Sequence, residues 1–186
     1  MNKILIFGVG LIGGSIALKV KKHKIFSEVV GISRSGGTNL KPFVDNGMLD
    51  RISSDYESEI KSANLIILAT PVSQIEAAFK KIYPFLTKDT LITDVGSTKT
   101  NIDLAAKSFL KEKYIQFIGS HPIAGSEKHG PQAAIENLFE NKNIIITPHD
   151  LSKKDDINKI ENFWQKLVDK CALKQVFYLF CNLKCF

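Results

Sequence analysis

The residues best equipped for chemistry fall in three short stretches, and the first is a glycine series. Gly8-Val-Gly-Leu-Ile-Gly13 has the spacing G-x-G-x-x-G and stands directly behind the apolar run Lys3-Ile-Leu-Ile-Phe7. Ile12, Ile16 and Val20 then recur every four residues, as the buried stripe of a helix would. Strand, tight turn and helix are the context in which this spacing has a mechanism. Gly8 permits the turn, Gly10 lets the backbone approach a pyrophosphate, and Gly13 allows close helix packing. The first helical N–H groups, from Leu11 and Ile12 onward, are then presented to the phosphates. A glycine-rich turn without a ligand is the plainer reading, and the flanking elements favour a bound dinucleotide over it.

A dinucleotide site of this kind normally places a carboxylate about twenty residues further on, against the adenosine ribose 2′-hydroxyl. Here that stretch reads Gly31-Ile-Ser33-Arg34-Ser35 and has no acid. A guanidinium between two hydroxyls suits a 2′-phosphate, because arginine can donate two parallel charge-assisted hydrogen bonds. The expected cofactor is therefore NADP, with NAD as the second choice. Arg34 as an ordinary surface charge is the alternative.

Ligands of open α/β sheets bind beyond the carboxyl ends of the strands. Three segments qualify: Thr70-Pro71-Val72, Asp94-Val-Gly96-Ser97-Thr-Lys99, and Gly119-Ser-His121-Pro-Ile-Ala-Gly-Ser126-Glu127. Thr70, Pro71, Asp94 and Gly96 are expected on the cofactor side. His121 follows the apolar run Ile115-Gln-Phe-Ile118, read as a strand, and precedes Pro122, which disfavours helix at the histidine. An imidazole fixed there is suited to take a proton near neutral pH. A lone histidine at a strand end is more often a structural hydrogen-bonder, so the reading depends on its neighbours. His23, His129 and His149 have no comparable setting. Gly96-Ser-Thr-Lys-Thr100 lacks the upstream glycine of a Walker motif, which makes phosphoryl transfer a poor reading.

The elements that would hold these segments alternate along the chain. Val29–Ile32, Asn64–Thr70, Leu91–Val95, Ile115–Ile118 and Asn143–Thr147 read as buried strands. Between them lie helical patterns carrying Ile75, Ala78, Phe79 and Ile82, then Ile102, Leu104, Ala105, Ala106 and Phe109. A last helix, about 152 to 170, carries Ile157, Ile160, Phe163, Trp164 and Leu167. Apolar strands alternating with amphipathic helices predict an α/β fold: a doubly wound, mainly parallel sheet of the Rossmann type. Residues 1–170 form the expected dinucleotide-binding domain. Residues 171–186, dense in aromatics and cysteine, are either an edge strand or the point at which a longer protein is cut short.

The chain has 186 residues and a net charge of +6, which favours anionic ligands, yet it has no concentrated basic arm. Lys19, Lys21, Lys22 and Lys24 fall where a helix should show its wet face. Nucleic acid is not an expected partner. No apolar run approaches the roughly 18 residues needed to cross a bilayer, and the N-terminus does not read as a signal peptide, so a cytoplasmic location is expected. Cys171, Cys181 and Cys185 match no zinc pattern, and no metal is expected.

Together, Gly8-Val-Gly-Leu-Ile-Gly-Gly-Ser15, Asp94-Val-Gly-Ser-Thr-Lys99 and above all Gly119-Ser-His-Pro-Ile-Ala-Gly-Ser-Glu127 resemble the prephenate/arogenate dehydrogenases of tyrosine biosynthesis, over residues 1 to about 170. The resemblance implies oxidative decarboxylation of a small dicarboxylate. His121 would accept a hydrogen bond from the substrate hydroxyl, Ser97 would position that hydroxyl and the nicotinamide, and Ser126 and Glu127 would line the mouth of the substrate pocket. The family pattern includes a second, helical domain that forms a homodimer and supplies arginine and histidine to the substrate carboxylates. The chain stops before such a domain, and the expectation is a shortened form with little activity. A degenerate NADP-binding protein without catalysis is one rival. A β-hydroxyacid dehydrogenase or imine reductase is another, disfavoured because the His-Pro motif is not its hallmark.

Overall fold

The computed structural model describes residues 2–33, 40–125, 127, 129–168 and 176–178. Arg34, Ser35, Ser126 and the three cysteines lie outside the described residues. Five strands, β1 (Lys3–Phe7), β2 (Glu28–Ile32), β3 (Arg51–Ser53), β4 (Leu65–Leu68) and β5 (Leu91–Asp94), form a sheet in the order β3-β2-β1-β4-β5. Every pairing in it is parallel. Successive side chains of β1 point to opposite faces: Ile4 and Ile6 join one apolar cluster, Leu5 and Phe7 the other.

Helices α1 (Leu11–Lys22) and α6 (Lys154–Leu167) cover the first face through Ile16, Val20, Trp164 and Leu167. Helices α4 (Ile75–Ile82) and α5 (Lys99–Leu110) cover the second through Ile75, Phe79, Ile102 and Leu110. Short helices α2 (Lys41–Asp45) and α3 (Tyr56–Lys61) flank β3. Burial on both faces is what the continuous apolar strands require, and the expected α/β architecture is the one observed. In α5 the buried stripe is Ile102, Ala106 and Leu110, whereas Leu104 is exposed to solvent.

The expected strand at Ile115–Ile118 does not form. Residues Lys111–Gln116 make a 3₁₀ turn, and the strand β6 begins at Gly119 and runs to Pro122. Its side chains explain the difference. The Gln116 amide donates to the carbonyls of Thr87 and Thr90, and Phe117 packs edge-on against Phe79 with ring centroids 5.5 Å apart. Those anchors hold the segment across the sheet edge, leaving one bridge from Phe117 to Ile92. His121 is consequently inside a strand, opposite Ile145 of the antiparallel neighbour β7 (Ile144–Thr147). A third strand, β8 (Val176–Tyr178), runs parallel to β7, so part of the aromatic tail pairs as an edge strand.

The lysine-rich stretch departs from expectation at Lys19. Lys19 is 1% exposed and pairs with Glu140 at 3.4 Å, and Lys22 pairs with Glu136. Ile135 N–H donates to Ser15 Oγ at 3.0 Å. The connection from β6 to β7 thus lies over α1 at Lys19, whereas Lys22 and Lys24 are exposed as expected and Lys21 is half-buried.

His149, at the end of β7, is fixed as a neutral ring. It stacks on Tyr114 with centroids 3.8 Å apart; Nε2 meets the carbonyls of Phe117 and Tyr114, and Nδ1 accepts the Leu151 N–H. Two carbonyls on one nitrogen and a donor on the other assign the proton to Nε2. Burial pushes its pKa below the ordinary value, with the carbonyl contacts opposing. The unfolded chain therefore binds the extra proton first, and stability falls as pH drops below about 6.5. The urea midpoint of His149→Gln is expected to depend less steeply on pH between about 7 and about 5 than that of the wild type. Equal slopes would contradict this assignment.

Candidate functional site

The carboxyl ends of β1, β2 and β4 open into a cavity of about 310 Å³, bordered by Gly8, Ser33, Tyr56, Thr70, Gln74 and Lys81. It lies where the chain order of the sheet reverses, between β1 and β4. Gly8 borders it, and the three glycines of the series differ in what demands them. Gly8 has φ of +91°, and a Cβ there would stand 2.6 Å from the Ala69 carbonyl oxygen. A Cβ on Gly13 would collide with the Gly8 carbonyl. Gly10 has an extended backbone open to any residue, and a Cβ on it would meet no atom within 4 Å. The fold needs the first and third glycines; it makes no demand on the second.

Gly10 is the N-cap of α1, and no side chain caps that helix. The contrast with α3 is direct. There Asp55 accepts the Ser58 N–H at 3.1 Å, and Glu57 and Glu59 stand in the first turn. The first turn of α1 has no acid, which leaves the N–H groups of Leu11, Ile12 and Gly13 and the positive end of the helix dipole directed outward. Across the cavity, Thr70 Oγ1 is, among the described residues, the one buried side-chain polar atom without a hydrogen-bond partner. Pro71 follows with φ of −51° and turns the chain toward α4. Ser33, directly after β2, donates its N–H to Ser53 and borders the same cavity.

The remaining candidates gather beyond β5. Asp94 is fully buried, and its carboxylate accepts N–H bonds from Gly96 (2.8 Å) and Ser120 (3.1 Å) and an ion pair from Lys99. No surface of Asp94 is left for a ligand; its contacts are with Gly96, Lys99 and Ser120 of the chain itself. Ser97 is exposed on the loop between β5 and α5. Ser120 Oγ donates to the Asp94 carbonyl (2.6 Å) and lies 2.8 Å from Thr93 Oγ1. Trp164 Nε1 donates to Ser120 Oγ at 3.0 Å, which ties α6 to β6 beside His121. His121 is half-buried, and Glu127 is exposed.

Burial pushes the His121 pKa below its ordinary value; the Lys99 ammonium adds to that shift, and Asp94 opposes it. The ring is therefore neutral at pH ~7 and able to accept a proton. Burial also drives Asp94 up and Lys99 down, each charge resisting the change in the other. Three N–H donors surround Asp94 and three acceptors surround the Lys99 ammonium, the complement of an ion pair rather than of a neutral acid and amine.

Lys99 is a residue of this cluster that sequence reasoning passed over. A signal was present: a lysine opening a helix sits at the wrong end of the dipole and calls for a nearby carboxylate. Tyr56 and Lys81 gave no such signal. They reach the cavity from α3 and α4, with Lys81 Nζ 3.0 Å from the Tyr56 hydroxyl and 4.4 Å from its ring centroid.

The sequence pattern described as "Prephenate dehydrogenase, nucleotide-binding domain" matches residues 16–173. The chain belongs to the prephenate dehydrogenase family. Its similarity to the prephenate dehydrogenase of Bacillus subtilis is 39% identity over 162 residues, covering 87% of this chain and 43% of that protein. With the Lactococcus lactis prephenate dehydrogenase it is 42% over 148 residues, covering 79% and 41%. The chain thus spans less than half the length of these two relatives. The prephenate dehydrogenase of A. aeolicus, solved with hydroxyphenyl propionate and NAD+, superimposes with a TM-score of 0.82 at 26% identity, over 97% of this chain and 60% of that one. The family match begins after the glycine series, so the reading of Gly8, Gly10 and Gly13 has support of its own in their geometry. Among the described residues, no helix is long and apolar enough to cross a membrane.

Proposed function

We propose that this chain binds a nicotinamide dinucleotide across the N-terminus of α1 and contributes the cofactor half of a prephenate or arogenate dehydrogenase. Gly10 carries the proposal. It is a glycine with no reason inside the chain, at an uncapped helix end, where a side chain would occupy the space a pyrophosphate needs. Thr70 Oγ1, buried and unpartnered, is a second group that fits a ligand. The residues proposed to hold the cofactor are Gly8, Gly10, Leu11, Ile12, Gly13, Ser33, Arg34, Ser35, Thr70, Pro71 and Gly96, with Asp94 fixing the Gly96 loop. Within that set, residues 1–170 act as the nucleotide-binding domain.

When bound, the nicotinamide supplies a hydride acceptor at C4. The chain's own residues do the rest. Neutral His121 accepts the proton of the substrate hydroxyl as the carbon bearing it loses hydride, and the ring carboxylate leaves as carbon dioxide, its bonding pair making the ring aromatic. Ser97 orients the hydroxyl, and Ser126 and Glu127 border the substrate pocket. Because His121 is held below its ordinary pKa, it keeps its acceptor form when the pH falls somewhat below 6.5.

NADP is the proposed preference, from the absence of an acid in Gly31–Ser35 and the presence of Arg34. A hydrogen bond to a charged group contributes about 1.5–3 kcal/mol. Arg34→Ala is therefore expected to weaken NADP binding by roughly 10- to 100-fold and NAD binding little. Calorimetric titration of both cofactors checks this; tighter binding of NAD to the wild type, or an unchanged NADP affinity in the variant, overturns it.

A further inference from the structure

We propose that Lys99 is the positioning residue of the site, holding the Ser97 loop and the His121 strand in one fixed arrangement. This deepens the reading given above and rests on it for the roles of Ser97 and His121. The geometry itself stands apart from any ligand. The Lys99 ammonium is largely buried and spends its three protons on three different parts of the chain: Asp94 at the end of β5, the Gly96 carbonyl (3.0 Å) in the loop, and the Ser120 carbonyl (2.7 Å) in β6. Asp94 answers with its two oxygens, one on the Gly96 N–H and the other on the Ser120 N–H. Each of the two segments is therefore gripped twice, at its carbonyl by the cation and at its amide by the anion.

The arrangement explains a cation at the first residue of α5, where the helix dipole disfavours it. It also ties β6 to β5, whose backbones are otherwise joined by one bridge and one bond, Ile118 N–H to the Ile92 carbonyl at 2.9 Å. A close backbone approach accompanies the clasp. A Cβ on Gly119 would stand 3.3 Å from Lys99 Cε and 3.5 Å from Asp94 Oδ1. Lys99 touches neither the hydroxyl-bearing substrate nor the cofactor in this account; it acts through Ser97 and His121, and its charge is one of those felt at the imidazole.

The test is nuclear magnetic resonance on the whole chain, with amide exchange and histidine titration read together. In Lys99→Met the Gly96 and Ser120 amides should lose protection together, by at least 10-fold relative to amides of β1, and His121 should titrate at a higher pH than in the wild type. Lys99→Arg keeps the charge and changes the geometry. It should retain the low His121 titration while still loosening both amides, and it serves if the methionine variant fails to fold. Protection lost in one segment alone, or an unmoved His121 in a folded Lys99→Met protein, overturns the proposal. Both readouts are taken without nucleotide. A wild-type chain that binds neither NAD nor NADP would therefore overturn the cofactor reading and leave the Lys99 result standing separately.

Discussion

Gly10→Val is expected to abolish measurable nucleotide binding while leaving the protein folded. A Cβ at this position meets no atom of the chain within 4 Å, so the expected structural cost is that of exchanging a tolerated N-cap residue for a poor one, about 1 kcal/mol. Its effect on a pyrophosphate is far larger. A side chain at the helix entrance displaces the phosphates from the N–H groups of the first turn, and each hydrogen bond to a charged group contributes about 1.5–3 kcal/mol. Loss of two weakens affinity by roughly 10² to 10⁴. Gly13→Val is the contrasting variant, because its Cβ would collide with the Gly8 carbonyl. Overpacking of that kind costs about 1–3 kcal/mol or more, and it should appear as a lower urea midpoint. Calorimetry with thermal melts separates the two outcomes; a Gly10→Val protein that binds as well as the wild type would remove the main support for the site.

The second large effect is expected at His121. In a protein that turns over prephenate or arogenate, His121→Asn should lower kcat by about 10² to 10⁴, the usual contribution of a positioned acid or base. Cofactor affinity should be unchanged, since the glycine series and Thr70 are untouched. Asparagine preserves much of the shape and hydrogen-bonding capacity at this place in β6 but removes the group that takes the proton. The wild-type rate should fall on acidification with an apparent pKa below the ordinary histidine value, because burial and Lys99 both disfavour the imidazolium. Absorbance at 340 nm follows the reaction. An unchanged rate in the variant would assign the proton acceptor elsewhere.

How far the sequence could be read depended on how local the determining physics was. Four of the five parallel strands, β1, β2, β4 and β5, and the helices α1, α4, α5 and α6 were legible because each carries its own apolar period, and burial on both faces leaves continuous apolar runs. The strand β3, Arg51-Ile-Ser53, is half-buried and has no apolar run, and it was not legible as a strand. The glycine series was legible because its context, strand then helix, is contiguous. Ile115–Ile118 misled because Phe117 packs on Phe79 and the Gln116 amide is held by the carbonyls of Thr87 and Thr90, partners some 26 to 38 residues away that no local pattern reports. Lys19 misled for the same reason: the chain that covers it arrives from Glu140, 121 residues on. Asp94 and Lys99 were quoted as a motif, yet their pairing with each other and with Ser120 becomes visible only once β6 lies beside β5.

A dinucleotide bound as proposed contacts the chain at the N-terminus of α1 and around the cavity edge. Amide chemical-shift mapping of the 186-residue protein during titration with NADP tests this without requiring turnover. The largest changes are expected at Leu11, Ile12 and Gly13, with further changes at Ser33 and Thr70 around the cavity edge and smaller ones at Gly96. Changes centred elsewhere, or no changes at millimolar NADP and NAD alike, would contradict the assignment of this site.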